Sequence, residues 1–269
     1  MEARKLDVGI ETVMAVYSGP GGVLWELLMG EEIHVGGASE TDALARRAGI
    51  TASTTVLDVC SALGGPARHL ARTIGCKVTG LDATPKMHAE AVRRTRDAQL
   101  DGKVGFTLGN ALDMPFRAGS FDVVWGQDAW CYVTDKERLV RECARVARPG
   151  GTVAFTDWLE TGAMSDEVWT AAHAFMAFPY METLGGYARL LEAAGLRVVE
   201  QQDLSSDFAR HVQAYLQSVQ QTHRSAIVSG YGQAMYEEVE RGLILWRDAS
   251  AAGQVGRGRL IARKPGSVD

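Results

Sequence analysis

The sequence has few of the features that mark secreted, membrane-spanning or metal-binding proteins. Its 269 residues include four cysteines, none in a Cys-x-x-Cys pair, so we expect neither a disulfide framework nor a zinc site. No apolar run approaches the roughly 20 residues that span a bilayer, and no cluster of His, Asp and Glu suggests a metal site. The N-terminal stretch lacks the apolar core of a signal peptide. We therefore expect a cytoplasmic protein with reduced thiols, no metal and no membrane segment.

The sequence also lacks a strong excess of basic residues. The formal net charge is −5, and no block rich in Lys or Arg stands out, which argues against a nucleic-acid partner. The chain has neither a Gly-x-Gly-x-x-Gly turn nor a Walker-type lysine, so a phosphate cradle is not expected. An NAD-dependent oxidoreductase needs such a cradle and is disfavoured. The expected partner is a small molecule.

After residue 50, short apolar runs alternate with longer amphipathic segments, which is the pattern of βαβ units and a parallel sheet. The predicted strands are Thr55–Val59, Lys77–Leu81, Val104–Leu108, Phe121–Trp125, Thr152–Asp157, Arg197–Gln202 and Arg257–Arg263.

Three segments do not fit this alternation. Residues 1–50 are predicted to be helical, with a break at the glycine-rich Ser18–Gly22, and to act as a flap. Residues 160–183 are rich in Met, Phe, Trp and Tyr, and residues 206–230 lie in a long polar helix; both are predicted as cap insertions. Ligands of open α/β sheets bind at the carboxyl ends of the strands. We expect these segments to cover that edge.

The turn after the first strand shapes the predicted ligand site. The stretch VLDVCSALGGPARHLA, residues 56–71, is typical of a strand, a turn of small residues and a helix. A dinucleotide-binding turn would have glycine where this chain has Cys60 and Ala62. Small residues are retained, so a ligand can still approach the backbone closely. The altered turn suits a ligand without a pyrophosphate.

Polar residues follow the next strands at the same predicted edge. Asp82 ends the second strand, where a carboxylate accepts hydrogen bonds from both ribose hydroxyls. Asn110 follows the third strand and can meet the amine of an adenine, and Gln127 follows the fourth. The alternatives are that Asp82 caps a helix and Asn110 forms an Asx turn. Together these segments predict a site for adenosine with a short charged tail.

Four stretches, VLDVCSALGGPARHLA, VTGLDATPKM, GNALDMPFRAGSFDVVWGQDAW and RECARVARPGGTVAFTDW, resemble motifs I to VI of the class I S-adenosylmethionine-dependent methyltransferases. The resemblance covers about residues 50–205. It implies an α/β fold: a Rossmann-like, seven-stranded, mostly parallel sheet with helices on both faces and a helical cap over the carboxyl edge. It makes residues 51–269 the methyltransferase domain, S-adenosyl-L-methionine the cofactor and S-adenosyl-L-homocysteine the product. The implied cofactor-binding residues are Asp58, Ser61, Ala62, Gly64, Asp82, Ala83, Asn110, Ala111 and Gln127.

Further stretches, LWELLMGEEIHVGG and WGQDAWCYVTDK, are similar to sarcosine/dimethylglycine and phosphoethanolamine N-methyltransferases, and the C-terminal ERGLILWRDASAAGQVGRGRLIARKP to the sarcosine/dimethylglycine group. Relatives often have His where this chain has Tyr132. A hydroxyl with an ordinary pKa near ~10 orients a nucleophile but is a poor base. Residues 175–180 contain no cation, although phosphobase enzymes hold phosphate in that stretch. We therefore expect a non-phosphorylated acceptor.

The expected reaction is methyl transfer to a small amine of the glycine, sarcosine or dimethylglycine kind, since aromatic walls bind cationic amines through ring faces. An O-, C- or S-methyltransferase of a sugar, quinone, aromatic hydroxyl or thiol stays open, as does a non-catalytic protein that binds an adenosine cofactor. A homodimer is also left open. The predicted catalytic residues are Tyr132, Tyr17 and His34. The predicted substrate contacts are Trp25, Trp130, Asp157, Trp158, Phe178 and Tyr180.

Overall fold

The N-terminal region is helical in the computed structural model, which describes residues 4–266. Three helices precede the sheet: α1 (Ile10–Ser18), α2 (Pro20–Met29) and α3 (Gly37–Ala48). The chain breaks at Gly19, inside the predicted glycine-rich segment. Pro20 then opens α2, because its missing N–H needs no partner in a first helical turn. Residues 1–3 of the predicted flap lie outside the described residues.

Seven strands form one sheet in the order β3-β2-β1-β4-β5-β7-β6. β7 runs antiparallel to both its neighbours, and the other pairs are parallel. This confirms the predicted Rossmann-like, mostly parallel fold. The bounds are β1 (Thr55–Val59), β2 (Lys77–Asp82), β3 (Val104–Leu108), β4 (Phe121–Gln127), β5 (Ala147–Glu160), β6 (Arg197–Asp203) and β7 (Val255–Arg263).

The inner strands β1 and β4 are buried on both faces, which is why their sequences are largely apolar. Val56 and Val78 pack on the side of α3 and α4, while Leu57 and Val59 face the side of α6 and α8. The remaining helices are α4 (Gly65–Thr73), α5 (Pro85–Asp97), α6 (Lys136–Val146), α7 (Asp166–Met176), α8 (Leu184–Ala193), α9 (Ser205–Ser218), α10 (Arg224–Tyr231) and α11 (Gln233–Ala251).

The two predicted cap segments contain α7 and α9–α10. A π-helical stretch, Val219–His223, separates α9 from α10, where the sequence predicted one helix. Together with α11 these helices enclose an aromatic cluster, in which Trp158 makes edge-to-face contacts with three other rings. Aromatic pairs of this kind add about 0.5–1.5 kcal/mol each beyond burial. The cap therefore has its own core, made of Trp158, Phe178, Phe208 and Trp246.

Candidate functional site

A cavity of about 210 Å³ lies at the carboxyl ends of β1, β2, β3 and β4. The parallel pairing of these strands brings their carboxyl ends to one edge. α1 contributes Ile10, Val13, Met14 and Tyr17 to its wall, and sequence reasoning identified only Tyr17 among them. Eight of the predicted cofactor residues line the cavity: Asp58, Ser61, Ala62, Asp82, Ala83, Asn110, Ala111 and Gln127.

The ninth, Gly64, lies behind the wall and has a packing role. Its φ is +71°, in the left-handed region that favours glycine, and a Cβ there would overlap the ring of Phe106. Cys60 and Ala62 also have positive φ, +65° and +43°. The turn therefore has the left-handed backbone that glycine adopts easily, but at Cys60 and Ala62 a Cβ is present, which strains the backbone.

Asp82 is held rigidly on the cavity wall. Its Oδ2 accepts a hydrogen bond from the N–H of Ala62 and its Oδ1 from the N–H of Thr84, both at 2.8 Å. Burial raises the pKa of Asp82, although these backbone hydrogen bonds oppose the rise. The Oδ1 of Asn110 accepts from the N–H of Leu112 at 2.9 Å, which is an Asx-type turn. Both side chains are therefore preorganised and still retain acceptor capacity toward the cavity.

The cavity is acidic. Glu32, Asp58, Asp82 and Asp128 line it, and no Lys, Arg or His does so among residues 4–266. The pKa of Asp58 is raised to about 8 by desolvation, and the nearby Asp82 and Glu32 carboxylates add to the rise. Asp128 is paired with Arg257, but Asp58 has no cationic partner in the described chain and favours a cationic ligand, whose charge would restore its ionisation.

Three buried polar atoms on this wall have no hydrogen-bond partner within the protein. They are the Oδ2 of Asp58, the Oγ of Ser61 and the Nε2 of Gln127. Buried polar groups are nearly always paired, so three orphaned groups around one cavity point to a polar ligand.

Two tyrosines meet over the cavity. The Tyr17 hydroxyl of α1 donates to the Tyr132 hydroxyl at 2.9 Å, and the rings pack edge to face. Desolvation raises the pKa of both phenols above the ordinary value. At neutral pH the pair is therefore uncharged, and it can donate or accept hydrogen bonds but cannot serve as a base.

A second cavity of about 10 Å³ shares Tyr17 and Tyr132 with the first. Its wall includes Trp25, His34 and Trp158, so five of the predicted catalytic and substrate residues meet there. The imidazole of His34 is buried and pairs with the Val35 carbonyl and the Thr41 hydroxyl. Phe178 packs behind Tyr132, with ring centroids 4.7 Å apart.

Three other predicted substrate contacts do not line either cavity. Trp130 lies in the core and stacks on Phe155, with ring centroids 4.1 Å apart. Asp157 is fully buried and accepts from the Tyr187 hydroxyl and the Cys131 N–H. Tyr180 packs its ring against a buried ammonium. Each of these side chains makes its contacts inside the protein.

Asp128 was not predicted, yet it lines both cavities. Its φ is +55°, and its carboxylate accepts from the Arg257 Nε at 2.8 and 3.0 Å and from the Val35 N–H at 2.8 Å. The fully buried Arg257 also donates to Thr156. This ion pair ties β7 to the loop after β4, and arginines inside the apolar β7 were the signal for it.

No group of three or more His, Cys, Asp and Glu side chains is placed to hold a metal ion in the described part of the chain. Within residues 4–266 no helix combines the length and apolar character needed to cross a membrane.

Residues 57–155 match the family model described as a methyltransferase domain. The chain is 29% identical over 246 residues to the glycine/sarcosine/dimethylglycine N-methyltransferase of Actinopolyspora halophila, covering 87% of this chain and 43% of that protein. The chain thus spans about two fifths of the length of that relative. It is 26% identical to the sarcosine/dimethylglycine N-methyltransferase of Halorhodospira halochloris, covering 98% of this chain and all of that protein.

Among solved structures, phosphoethanolamine N-methyltransferase 2 of Haemonchus contortus in complex with S-adenosyl-L-methionine has a TM-score of 0.85 and 22% identity. The match covers 93% of this chain and 58% of that one. At this identity the likeness concerns the fold. Residues 57–155 therefore form a methyltransferase domain, and this is the family to which that part of the chain belongs.

Proposed function

We propose that this protein transfers a methyl group from S-adenosyl-L-methionine to a small, non-phosphorylated amine. The observation that carries the proposal is the acid-lined cavity, three of whose lining residues each have a buried polar atom without a hydrogen-bond partner in the described protein. A nucleoside with a cationic amino-acid tail matches both features, whereas a pyrophosphate would meet acidic side chains and no Lys or Arg in the described part of the wall.

The residues present fit the cofactor part by part. Asp82, with both oxygens oriented by backbone N–H groups, is the proposed acceptor for the ribose hydroxyls, and Asn110 and Ala111 are proposed to contact the adenine. The turn at Ser61 is proposed to face the amino-acid tail, with Asp58 taking its ammonium. The orphaned Gln127 amide N–H is proposed to take its carboxylate. When bound, the cofactor supplies an electrophilic methyl group on a sulfonium.

The chain's own contribution is alignment and exclusion of water. Well-oriented reactants can gain roughly 7–11 kcal/mol from proximity alone, and the roof formed by α1 encloses the site. Tyr17 and Tyr132 remain neutral because their pKa values are raised. They are proposed to hold the acceptor by hydrogen bonds without removing its proton. Such a site suits an acceptor that loses its proton to solvent before it reacts, as an amine does.

The smaller cavity favours an amine over a phosphorylated or anionic acceptor. Trp25, Tyr132 and Trp158 provide aromatic faces, and no Lys or Arg of the described chain lines this cavity. Ring faces bind cations with about 0.5–2 kcal/mol each. The names of the relatives refer to glycine, sarcosine and dimethylglycine, which are small amines without a phosphate.

The test is methyl transfer from cofactor with a deuterated methyl group to a panel of glycine, sarcosine, dimethylglycine, other small amines, phosphoethanolamine, catechols and thiols. Mass spectrometry is expected to find the label on a non-phosphorylated amine, with loss of product formation in Asp82→Ala. Label on phosphoethanolamine, or on oxygen or sulfur alone, would contradict the amine assignment. Tight binding of S-adenosylhomocysteine without transfer to any acceptor would instead favour a non-catalytic adenosine-binding protein.

A further inference from the structure

Lys136, the first residue of α6, is a fully buried cation that the proposed mechanism does not use. Its Nζ donates to the carbonyls of Val133 and Tyr180, both at 3.0 Å, and of Cys131 at 3.4 Å. Three acceptors use all three protons of an ammonium. The ring of Tyr180 lies 3.7 Å away and adds a cation–π contact. Burial lowers the pKa of Lys136 to about 8, so the ammonium predominates at pH 7.

Two of the three acceptor carbonyls belong to the neighbours of Tyr132 in the chain. Cys131 and Val133 flank Tyr132 on either side, so the ammonium holds the turn through the carbonyls before and after the tyrosine. The N–H of Cys131 donates to Asp157 at 3.1 Å, which fixes the same turn through its amide. The position of the Tyr132 ring is therefore determined by buried polar contacts on its backbone.

The third acceptor joins the cap to this arrangement. Tyr180 follows Phe178, whose ring packs edge to face against Tyr132. One ammonium thus binds the turn that carries Tyr132 and the segment that supports the ring from behind. Lys136 itself lines neither cavity in the described chain, so any influence on the site passes through Tyr132.

We propose that Lys136 is a positioning residue, which fixes the Tyr132 hydroxyl opposite Tyr17 and so holds α1 closed over the cavity. The link is the 2.9 Å hydrogen bond between the two hydroxyls. The effect on methyl transfer rests on the proposed function, but the effect on α1 does not. If Lys136 served folding alone, its replacement would destabilise the whole protein and would not loosen α1 more than other elements.

The chain offers a matched control in Lys264. Its Nζ donates to the carbonyls of Ala144 and Ala147 at 2.7 and 2.8 Å, and burial lowers the pKa of this ammonium as well. Lys264 lines neither cavity. Lys264→Met therefore removes a partly buried ammonium that binds two carbonyls, without contact to Tyr132.

The experiment measures hydrogen–deuterium exchange of residues 10–18 in the protein without ligand. Loss of one hydrogen bond changes the equilibrium constant for local opening roughly 5-fold. Lys136→Met is therefore expected to speed exchange in α1 about 5-fold. Tyr132→Phe is expected to do the same, and the double variant no more than either. Lys264→Met is expected to leave α1 exchange unchanged relative to the rest of the chain.

The proposal would be overturned if α1 of Lys136→Met exchanged at the wild-type rate. Additive effects in the double variant would also overturn it. If Lys136→Met does not fold, Lys136→Arg replaces it, because a planar guanidinium cannot direct three donors to carbonyls around one point. The same rise in α1 exchange is then expected, and wild-type exchange refutes the idea. Where methyl transfer is measurable, kcat should fall in Lys136→Met and in Tyr132→Phe, with no further loss in the double variant, because both changes act through the Tyr132 hydroxyl. If the wild type has no transferase activity, the proposed function is refuted. The exchange experiment still decides whether Lys136 holds α1 through Tyr132.

Discussion

The Asp58 carboxyl provides the sharpest prediction, because it is the group proposed to take the ammonium of the cofactor's tail. The folded protein without ligand holds this pKa at about 8. A bound ammonium lowers it by favouring the charged form. Replacing Asp58 by Asn removes the titration and keeps the size and most of the shape of the side chain, so the comparison isolates the charge.

The magnitude follows from the fraction of ionised Asp58 in the free protein. With a pKa of about 8, this fraction is roughly 1% at pH 6 and 50% at pH 8, and apparent affinity scales with the competent fraction. The wild-type Kd for S-adenosylhomocysteine should therefore fall about 50-fold over this range, relative to Asp58→Asn. The ligand's own titration affects both proteins equally and cancels in the ratio.

The assay is isothermal titration calorimetry at pH 6, 7 and 8, in buffers with different ionisation enthalpies. At pH 7 the wild type should release about 0.9 proton more per bound ligand than Asp58→Asn, because roughly nine tenths of free Asp58 is protonated. The two Kd values should converge at pH 6. Parallel pH profiles with equal proton release would refute the assignment of Asp58 to the cationic tail.

Three further predictions concern stability and the tyrosine pair. Ala62→Gly should raise the free energy of unfolding by up to about 1 kcal/mol, because glycine adopts a positive φ without strain. Gly64→Ala should lower the free energy of unfolding, since the new Cβ would overlap the Phe106 ring. Urea denaturation measures both changes. Burial lowers the pKa of His173 to about 4 from 6.5, so the unfolded chain takes up this proton first and unfolding becomes easier as pH falls from about 6.5 toward 4. His173→Phe should flatten that slope in thermal melts, and an unchanged slope would exclude His173 as its source. Tyr17→Phe and Tyr132→Phe should reduce kcat to the same extent without additivity, because they break one hydrogen bond, and independent effects in the double variant would contradict this.

The fold could be predicted because its strands are apolar runs with clear turns at their ends. Thr55–Val59 and Val104–Leu108 match β1 and β3 to the residue. β5 begins five residues before the predicted Thr152, since Ala147 already pairs with Phe121 before the register shifts. A long polar helix was predicted where a π-helical stretch intervenes, because local propensity does not encode a widened turn that tertiary packing selects.

The candidate site could be predicted only in part. Side chains at strand ends, such as Asp82 and Gln127, are placed by topology alone, and they line the cavity. Topology does not specify which way a side chain after a strand turns, so Trp130 was expected near the substrate but stacks in the core. The pair between Asp128 and Arg257 joins residues 129 positions apart, and no local pattern links them.

The most direct test of the central claim is a calorimetric titration of S-adenosylhomocysteine into the wild type and Asp82→Ala at pH 8. The wild type is expected to bind with micromolar or better affinity. The variant should bind about 100-fold more weakly, because it loses two charge-assisted hydrogen bonds worth roughly 1.5 kcal/mol each. No binding by the wild type, or equal affinity in both proteins, would contradict the claim that this cavity holds the ribose of an adenosine cofactor on Asp82.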